Sequence, residues 1–277
     1  MAFLQVNFMS QALMRTVTAN VLLPADKITF PGMPGPAGPP YKTLYLLHGI
    51  FGNHTDWLNG TNIQRWADEK ELAVVMPAGE NLFYLDQEAQ HALYGEFVGK
   101  ELVDVTRKMF PLSCRREDTF IAGLSMGGFG ALRNGLKYHE TFGCIGALSS
   151  ALIVDGLRAR TDEHPIFIET RSYAETVFGD LEKVAESDKN PEWLAHSLKE
   201  KGEKLPRIYM ACGRQDSMLA CNEKFYQALK AAGIDVFFET DEGNHDWDFW
   251  NRYLKKLLDW LPLGKGSEGM NSGNVGV

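Results

Sequence analysis

One serine in this sequence has neighbours that suit a nucleophile. Ser125 lies in a Gly-x-Ser-x-Gly pentapeptide between Gly123 and Gly127, with an apolar run at 120–124 before it and a helix-forming segment at 126–132 after it. A strand, a tight turn and a helix in this order are typical of a nucleophile elbow, which exposes the hydroxyl beside a base and near backbone N–H groups. The alternative is a glycine-rich loop with an ordinary serine, and the flanking strand and helix argue against it.

A serine nucleophile needs a base, and the base needs an acidic partner. Asp216 follows the apolar run 207–213, and His245 follows the apolar run 235–240. The carboxyl ends of parallel strands meet at one edge of a sheet, so both side chains are expected near Ser125. The chain order Ser, Asp, His, each after its own strand, predicts a catalytic triad of these three residues.

Other residues compete for the roles of acid and base. Asp241 and Asp246 are close to His245 in the sequence, but neither follows the strand before the last one, where this chain order places the acid. His48 also ends an apolar run. Its place at the end of a buried strand favours a structural role in fixing the next loop.

Aromatic residues follow two of the strand-like segments. The run 43–48 leads into the glycine-flanked loop 49–52, which can turn a backbone N–H inward and supply half of an oxyanion hole. Phe51 and Trp57 come with or after this loop, and Tyr84 follows another core strand. They predict an acyl pocket with aromatic walls, suited to short acyl chains or flat phenolic acids. The alternative is that these aromatics only pack the segment 151–204 against the sheet.

The elements that must position these residues alternate along the chain. Residues 3–8 and 13–23 predict an antiparallel hairpin at a sheet edge, and the Pro/Gly-rich stretch 31–40 predicts a surface loop. Apolar runs typical of buried strands then alternate with amphipathic segments typical of helices. This pattern predicts an α/β fold with a mostly parallel central sheet flanked by helices.

The strand rhythm also predicts the domain organisation. Residues 1–263 are predicted to form a single domain. The rhythm stops over the charged segment 151–204, which predicts a small helical cap insertion between two core strands; a peripheral packing element is the alternative. Residues 264–277, rich in Gly, Ser and Asn, are predicted to be a disordered tail.

Charge and composition limit the partners. The formal net charge is −8 and no Lys/Arg cluster offsets it, which disfavours nucleic acid and anionic membrane surfaces. The first residues lack the pattern of a signal peptide, and the four cysteines show no Cys-x-x-Cys spacing. We therefore expect reduced thiols and a cytoplasmic protein. Neither a metal-ligand cluster nor a phosphate-cradling loop is evident, so no metal or cofactor is predicted.

Together these motifs resemble the esterase D group of α/β-hydrolases, which includes tributyrin, feruloyl and cinnamoyl esterases, S-formylglutathione hydrolases and, more remotely, mycolyltransferases. The resemblance covers about residues 6–261, and its motifs are 46–52 with Asp56-Trp57, 120–132, 213–216 and His245-Asp246-Trp247. It implies the α/β-hydrolase fold, a carboxylic-ester activity and the triad already named. It also implies that the N–H groups of Ile50 and Met126 bind the oxyanion, with Phe51 as the competing donor. The sequence departs from the group around 32–40 and 81–86, which leaves substrate choice open.

The sequence therefore predicts a serine carboxylic-ester hydrolase. Its partner is expected to be a small ester with a short-chain acyl or hydroxycinnamoyl group, cleaved through an acyl-enzyme. A thioesterase of the S-formylglutathione hydrolase type and an acyltransferase would use the same residues, and both are kept as alternatives. Whether the protein forms a homo-oligomer is left open.

Overall fold

The computed structural model describes residues 1–28 and 35–264 of the chain. Part of the predicted loop 31–40 lies outside the described residues, as does the predicted tail except for Gly264. Within the described ranges, no helix combines the length and the apolar character needed to cross a bilayer.

A central sheet of eight strands organises the fold. The strands of the described chain are β1 (Ala2–Ser10), β2 (Arg15–Leu23), β3 (Thr43–Leu47), β4 (Ala73–Pro77), β5 (Asp86–Gln87), β6 (Ala92–Leu93), β7 (Thr119–Leu124), β8 (Cys144–Leu148), β9 (Arg207–Gly213) and β10 (Val236–Asp241). The sheet order is β1-β2-β4-β3-β7-β8-β9-β10, while β5 and β6 pair separately. Strand β2 runs antiparallel to both neighbours, and β3, β4 and β7 to β10 are parallel. The predicted edge hairpin and mostly parallel sheet are confirmed.

Helices cover both faces of the sheet. They are α1 (Asp56–Gly60), α2 (Ile63–Glu69), α3 (Tyr94–Glu96), α4 (Leu102–Met109), α5 (Met126–Lys137), α6 (Arg171–Phe178), α7 (Pro191–Glu200), α8 (Leu219–Ala231) and α9 (Trp247–Trp260). A π-helical turn, Phe97–Glu101, joins α3 to α4. Successive side chains of a strand point to opposite faces, so each central strand contributes side chains to two hydrophobic cores.

The side chains of the central strands alternate between the two cores. Tyr45 and Leu47 of β3 pack with α4, α5 and α8 on one face, whereas Leu44 and Leu46 pack with α2 and α9 on the other. All five residues of β3 are buried. A strand buried on both faces gives a continuous apolar run, which is why the sequence pattern identified it. The carboxyl ends of the parallel strands therefore sit at one edge, held between two packed layers.

The segment 151–204, between β8 and β9, is helical in the structure. It contains α6, α7 and short 3₁₀ turns, and no strand. Helix α7 packs in the same core as α5, so it belongs to the helical layer beside the sheet. Helix α6 follows a more exposed stretch that includes Phe167. Its action as a cap stays a prediction.

Candidate active site

Ser125 stands at a strained turn between β7 and α5. Its φ is +53° and its ψ is −118°, a conformation that costs a non-glycine residue on the order of 1–3 kcal/mol. The surrounding backbone approaches closely, because a β-carbon on Gly123 would lie 2.3 Å from Gly127 O and one on Gly127 would lie 2.4 Å from Leu47 O. Only glycine fits at both positions. The sequence thus folds into the sharp turn that a nucleophile elbow requires.

The structure brings the predicted serine, histidine and aspartate into one hydrogen-bonded chain. His245 Nε2 lies 2.9 Å from Ser125 Oγ. His245 Nδ1 lies 3.0 Å and 2.9 Å from the two carboxylate oxygens of Asp216. The Asp216 side chain is fully buried, whereas that of His245 is 32% exposed. The aspartate end of this hydrogen-bonded array is therefore shielded from solvent, whereas the histidine is partly exposed.

The environment of Asp216 favours its ionised form. Burial by itself would raise the pKa of this carboxyl, but hydrogen bonds from His245, the Met218 N–H and the Ser149 hydroxyl lower the pKa below its usual value. The Met218 N–H donates to Asp216 Oδ1 at 2.7 Å. An anionic carboxylate here orients the imidazole so that Nδ1 carries its proton and Nε2 faces the serine.

Ser149 and Trp250 support this chain, and the sequence reasoning missed both. Ser149 follows β8 with a φ of +47° and is fully buried. Trp250 Nε1 donates to Ser149 Oγ at 3.1 Å, and the Trp250 ring meets His245 edge-on with centroids 4.9 Å apart. Ser149 thus bonds the Asp216 carboxylate, and Trp250 packs against the His245 ring. No sequence signal distinguishes such a serine from any other at a strand end.

The competing carboxylates have other partners. Asp246 caps α9, because its Oδ1 accepts the Phe249 N–H at 3.0 Å. Asp241 accepts the Glu242 N–H at 2.8 Å. Only Asp216 among these acids contacts the imidazole of His245.

The loop 49–52 lies directly beside the serine. A β-carbon on Gly49 would be 3.6 Å from Ser125 Cβ. The Phe51 N–H donates to Asn81 Oδ1 at 2.8 Å, so this amide is occupied. Within the described ranges, the Ile50 N–H makes no hydrogen bond to the protein, and the Met126 N–H is the first of α5, where no intrahelical acceptor exists. Two free amides thus flank the nucleophile.

His48 fixes this loop. Its Nε2 accepts the Gly79 N–H at 2.8 Å, and its Nδ1 donates to Gly49 O at 2.7 Å. Burial lowers the pKa of His48, so the ring is neutral and both nitrogens are engaged. The structural role expected for this histidine agrees with these contacts.

Two of the three aromatic residues expected in the acyl pocket lie in the core. Trp57 is 1% exposed and its Nε1 donates to Leu47 O at 2.9 Å. Tyr84 is 0% exposed and its hydroxyl donates to His48 O at 3.0 Å. Neither presents a surface to a substrate, so the prediction that these two residues line the pocket is corrected. Both instead donate hydrogen bonds to the main chain just before the loop 49–52. Phe51 differs, because it is 66% exposed.

The buried position of Trp57 gives a testable result. Trp57→Phe leaves the Leu47 carbonyl without its donor and opens a small gap, so we expect a loss of about 1–3 kcal/mol in the free energy of unfolding. Denaturant unfolding measures it, and KM should stay at the parental value. Trp193→Phe on α7, where the side chain is 38% exposed, is the matched control. If the variant kept parental stability but changed KM, Trp57 would instead belong to the substrate pocket.

A cleft opens between the start of the segment 151–204 and the residues that follow Asp216. It has a volume of about 560 Å³ and is lined by residues that include Leu152, Ile153, Ser217 and Met218. The last two follow Asp216 directly, so this space adjoins the same edge of the sheet. In the described ranges, no group of three or more His, Cys, Asp or Glu side chains is arranged to hold a metal ion.

A mostly parallel sheet with a serine at an elbow, followed by an acid and a histidine after later strands, defines a serine hydrolase of the α/β-hydrolase fold. A family model described as "Putative esterase" matches residues 10–261. The chain therefore belongs to this esterase family, and the fold and the resemblance read from the sequence are confirmed.

Individual relatives agree with this assignment. The chain is 45% identical over 261 residues to an acetyl esterase of Caldicellulosiruptor saccharolyticus, covering 94% of this chain and 98% of the relative. Among solved structures it is similar to the fluorophosphonate-binding serine hydrolase F of Staphylococcus aureus, with a TM-score of 0.81, 28% identity and coverage of 94% and 98%. The S-formylglutathione hydrolase of the same organism gives a TM-score of 0.80, 29% identity and the same coverage. A ferulic acid esterase gives 0.69, 25% identity and coverage of 94% and 97%. The chain is a serine esterase.

Proposed function

We propose that this esterase hydrolyses small carboxylic esters with Ser125 as nucleophile, His245 as general base and Asp216 as the orienting acid. The observation that carries the proposal is the continuous chain of hydrogen bonds from Ser125 Oγ through both nitrogens of His245 to the buried carboxylate. A serine hydroxyl is a weak nucleophile unless a base in this position removes its proton.

The reaction proceeds in two halves. His245 takes the Ser125 proton as Oγ attacks the ester carbonyl, and Asp216 stabilises the imidazolium. The N–H groups of Ile50 and Met126 hold the oxyanion, since the Phe51 N–H is engaged by a side chain. Collapse of the tetrahedral intermediate breaks the ester bond, and the alcohol leaves with the proton from the imidazolium. Water then attacks the acyl-enzyme by the same steps, which releases the acid and restores the serine.

Short acyl and hydroxycinnamoyl groups are the proposed acyl parts. The acetyl esterase relative supports the first and the ferulic acid esterase structure supports the second. Exposed Phe51, with Phe167 at 6.3 Å between ring centroids, offers an apolar surface beside the oxyanion loop. The similarity to an S-formylglutathione hydrolase supports a thioesterase as the second candidate. An acyltransferase is the third, recognised by transfer to added alcohols in place of water.

A panel of substrates tests the proposed specificity. We expect kcat/KM for p-nitrophenyl esters to be greatest between acetate and butyrate and to fall with longer chains, with measurable turnover of methyl ferulate. A thioester measured alongside separates the second candidate by its higher kcat/KM. A profile that peaks at long acyl groups, with no turnover of butyrate or ferulate esters, would rule the proposal out.

The surroundings in which the enzyme works are also a proposal. All four cysteines are free thiols in the structure, which supports a reducing compartment such as the cytoplasm. A small ester as substrate, the absence of nucleic-acid and membrane partners, and a possible homo-oligomer stay predictions.

A further inference from the structure

We propose that Asn81 is a positioning residue for the oxyanion hole and that Tyr173 of the segment 151–204 holds it in place. This inference rests on the proposed ester hydrolysis. It concerns which amide of the loop 49–52 faces the reacting carbonyl, and it makes the inserted segment a part of that choice.

The loop 49–52 is a turn with two candidate donors at its centre. The Gly52 N–H donates to Gly49 O at 3.2 Å, so Ile50 and Phe51 are the central residues. Phe51 has a φ of +67°, which is typical of the second central residue of a type II turn and unfavourable for a side chain as large as phenylalanine. A flip of the central peptide would relieve this strain and redirect the Phe51 N–H.

Asn81 opposes that flip. Its Oδ1 accepts the Phe51 N–H at 2.8 Å, and this bond exists only in the strained form of the turn. The central peptide is thereby held with its N–H on Asn81. The turn that also carries the Ile50 N–H is fixed in this one conformation. The contribution of Asn81 is the orientation of a peptide plane, without contact to the reacting atoms.

The inserted segment fixes Asn81 in turn. The Tyr173 hydroxyl of α6 donates to Asn81 O at 2.7 Å. Burial raises the pKa of Tyr173 to about 12, so the hydroxyl stays protonated and able to donate at neutral pH. The Asn81 main chain is therefore tied to the insertion while its side chain is tied to the oxyanion loop.

A second link joins the same partners through aromatic rings. Phe167 meets Tyr173 edge-on at 5.6 Å between centroids and lies 6.3 Å from Phe51. The insertion thus contacts the side chain of the strained residue and also, through Asn81, its amide. These two links close a ring of contacts around one side of the site.

Two variants test this inference. Asn81→Leu removes the acceptor at similar volume, and Tyr173→Phe removes only the hydroxyl. The matched controls are Asn59→Leu, at an exposed site on α1, and Tyr226→Phe, whose ring packs on Phe238. The readouts are kcat and KM for p-nitrophenyl acetate and the inhibition constant of a trifluoromethyl ketone, whose adduct places an oxyanion in the hole.

For Asn81→Leu we expect kcat to fall about 10- to 100-fold with KM nearly unchanged, and the ketone to bind weaker by a similar factor. For Tyr173→Phe the same changes should be smaller, about threefold to tenfold, at a parental melting temperature. The controls should match the parent. A structural role alone would not weaken the ketone in proportion to kcat.

Parental kcat and ketone affinity in the Asn81 variant would overturn the inference. Should that variant fail to fold, Tyr173→Phe decides, because parental values there would overturn it equally. A parent enzyme without activity on any ester would overturn the proposed function and this inference with it. An active parent with unaffected variants would overturn the inference alone.

Discussion

Replacement of Ser125 by alanine leaves a folded protein whose ester turnover falls by about 10⁴-fold or more. The reason is that the hydroxyl is the proposed nucleophile, so no acyl-enzyme can form without it, whereas triad knockouts in general retain only the residual catalysis of binding and the oxyanion hole. The side chain is small and its loss removes little buried surface. Steady-state kinetics on p-nitrophenyl acetate measures the effect, and circular dichroism checks the fold.

A matched serine controls this experiment. Ser197→Ala on α7 makes the same chemical change away from the site and should keep parental turnover. Labelling by a fluorophosphonate should disappear in Ser125→Ala and persist in the control. Near-parental turnover or labelling after loss of Ser125 would refute the assignment of the nucleophile.

Replacement of Asp216 by asparagine is expected to lower kcat by about 10⁴-fold while the fold stays nearly intact. The amide keeps the shape of the carboxylate but can present an N–H to His245 Nδ1, which favours the tautomer that cannot accept the serine proton. The lost charge also removes the stabilisation of the imidazolium. The measurement is kcat for p-nitrophenyl acetate at neutral pH.

The competing acids provide the comparison. Asp241→Asn and Asp246→Asn should keep turnover within a few-fold of the parent. Asp241 bonds the Glu242 amide and the Tyr253 side chain rather than His245, and asparagine caps a helix as well as aspartate does. If either of these variants lost as much activity as Asp216→Asn, the orienting acid would be misassigned.

The positions of the proposed catalytic residues could be predicted from the sequence because they depend on local backbone geometry and on strand order. Gly123 and Gly127 are needed for close backbone approach at the elbow, and that need is visible as a motif. The placement of Asp216 and His245 follows from strand order, since parallel strands deliver their loops to one edge. Short-range geometry and topology were sufficient here.

The supporting contacts could not be read in this way. Trp57, Tyr84 and Phe51 all lie after strands, yet the first two are buried and Phe51 is exposed. Residue type alone does not distinguish a side chain that lines a pocket from one that packs in the core. Ser149 and Asn81 act through hydrogen bonds to residues far along the chain, which only tertiary packing reveals. The sequence pattern carries no information on which of two adjacent amides is already occupied.

The bond from Tyr173 to Asn81 has a consequence for engineering. Segments inserted after a core strand are usually treated as exchangeable, so that a new substrate range can be grafted onto an unchanged catalytic frame. In this enzyme a grafted segment would also have to supply the hydroxyl that holds Asn81, because that contact supports the proposed orientation of the oxyanion turn. Chimeras that omit the tyrosine would lose rate with every substrate alike, whereas chimeras that keep it would change preference at a preserved maximal rate.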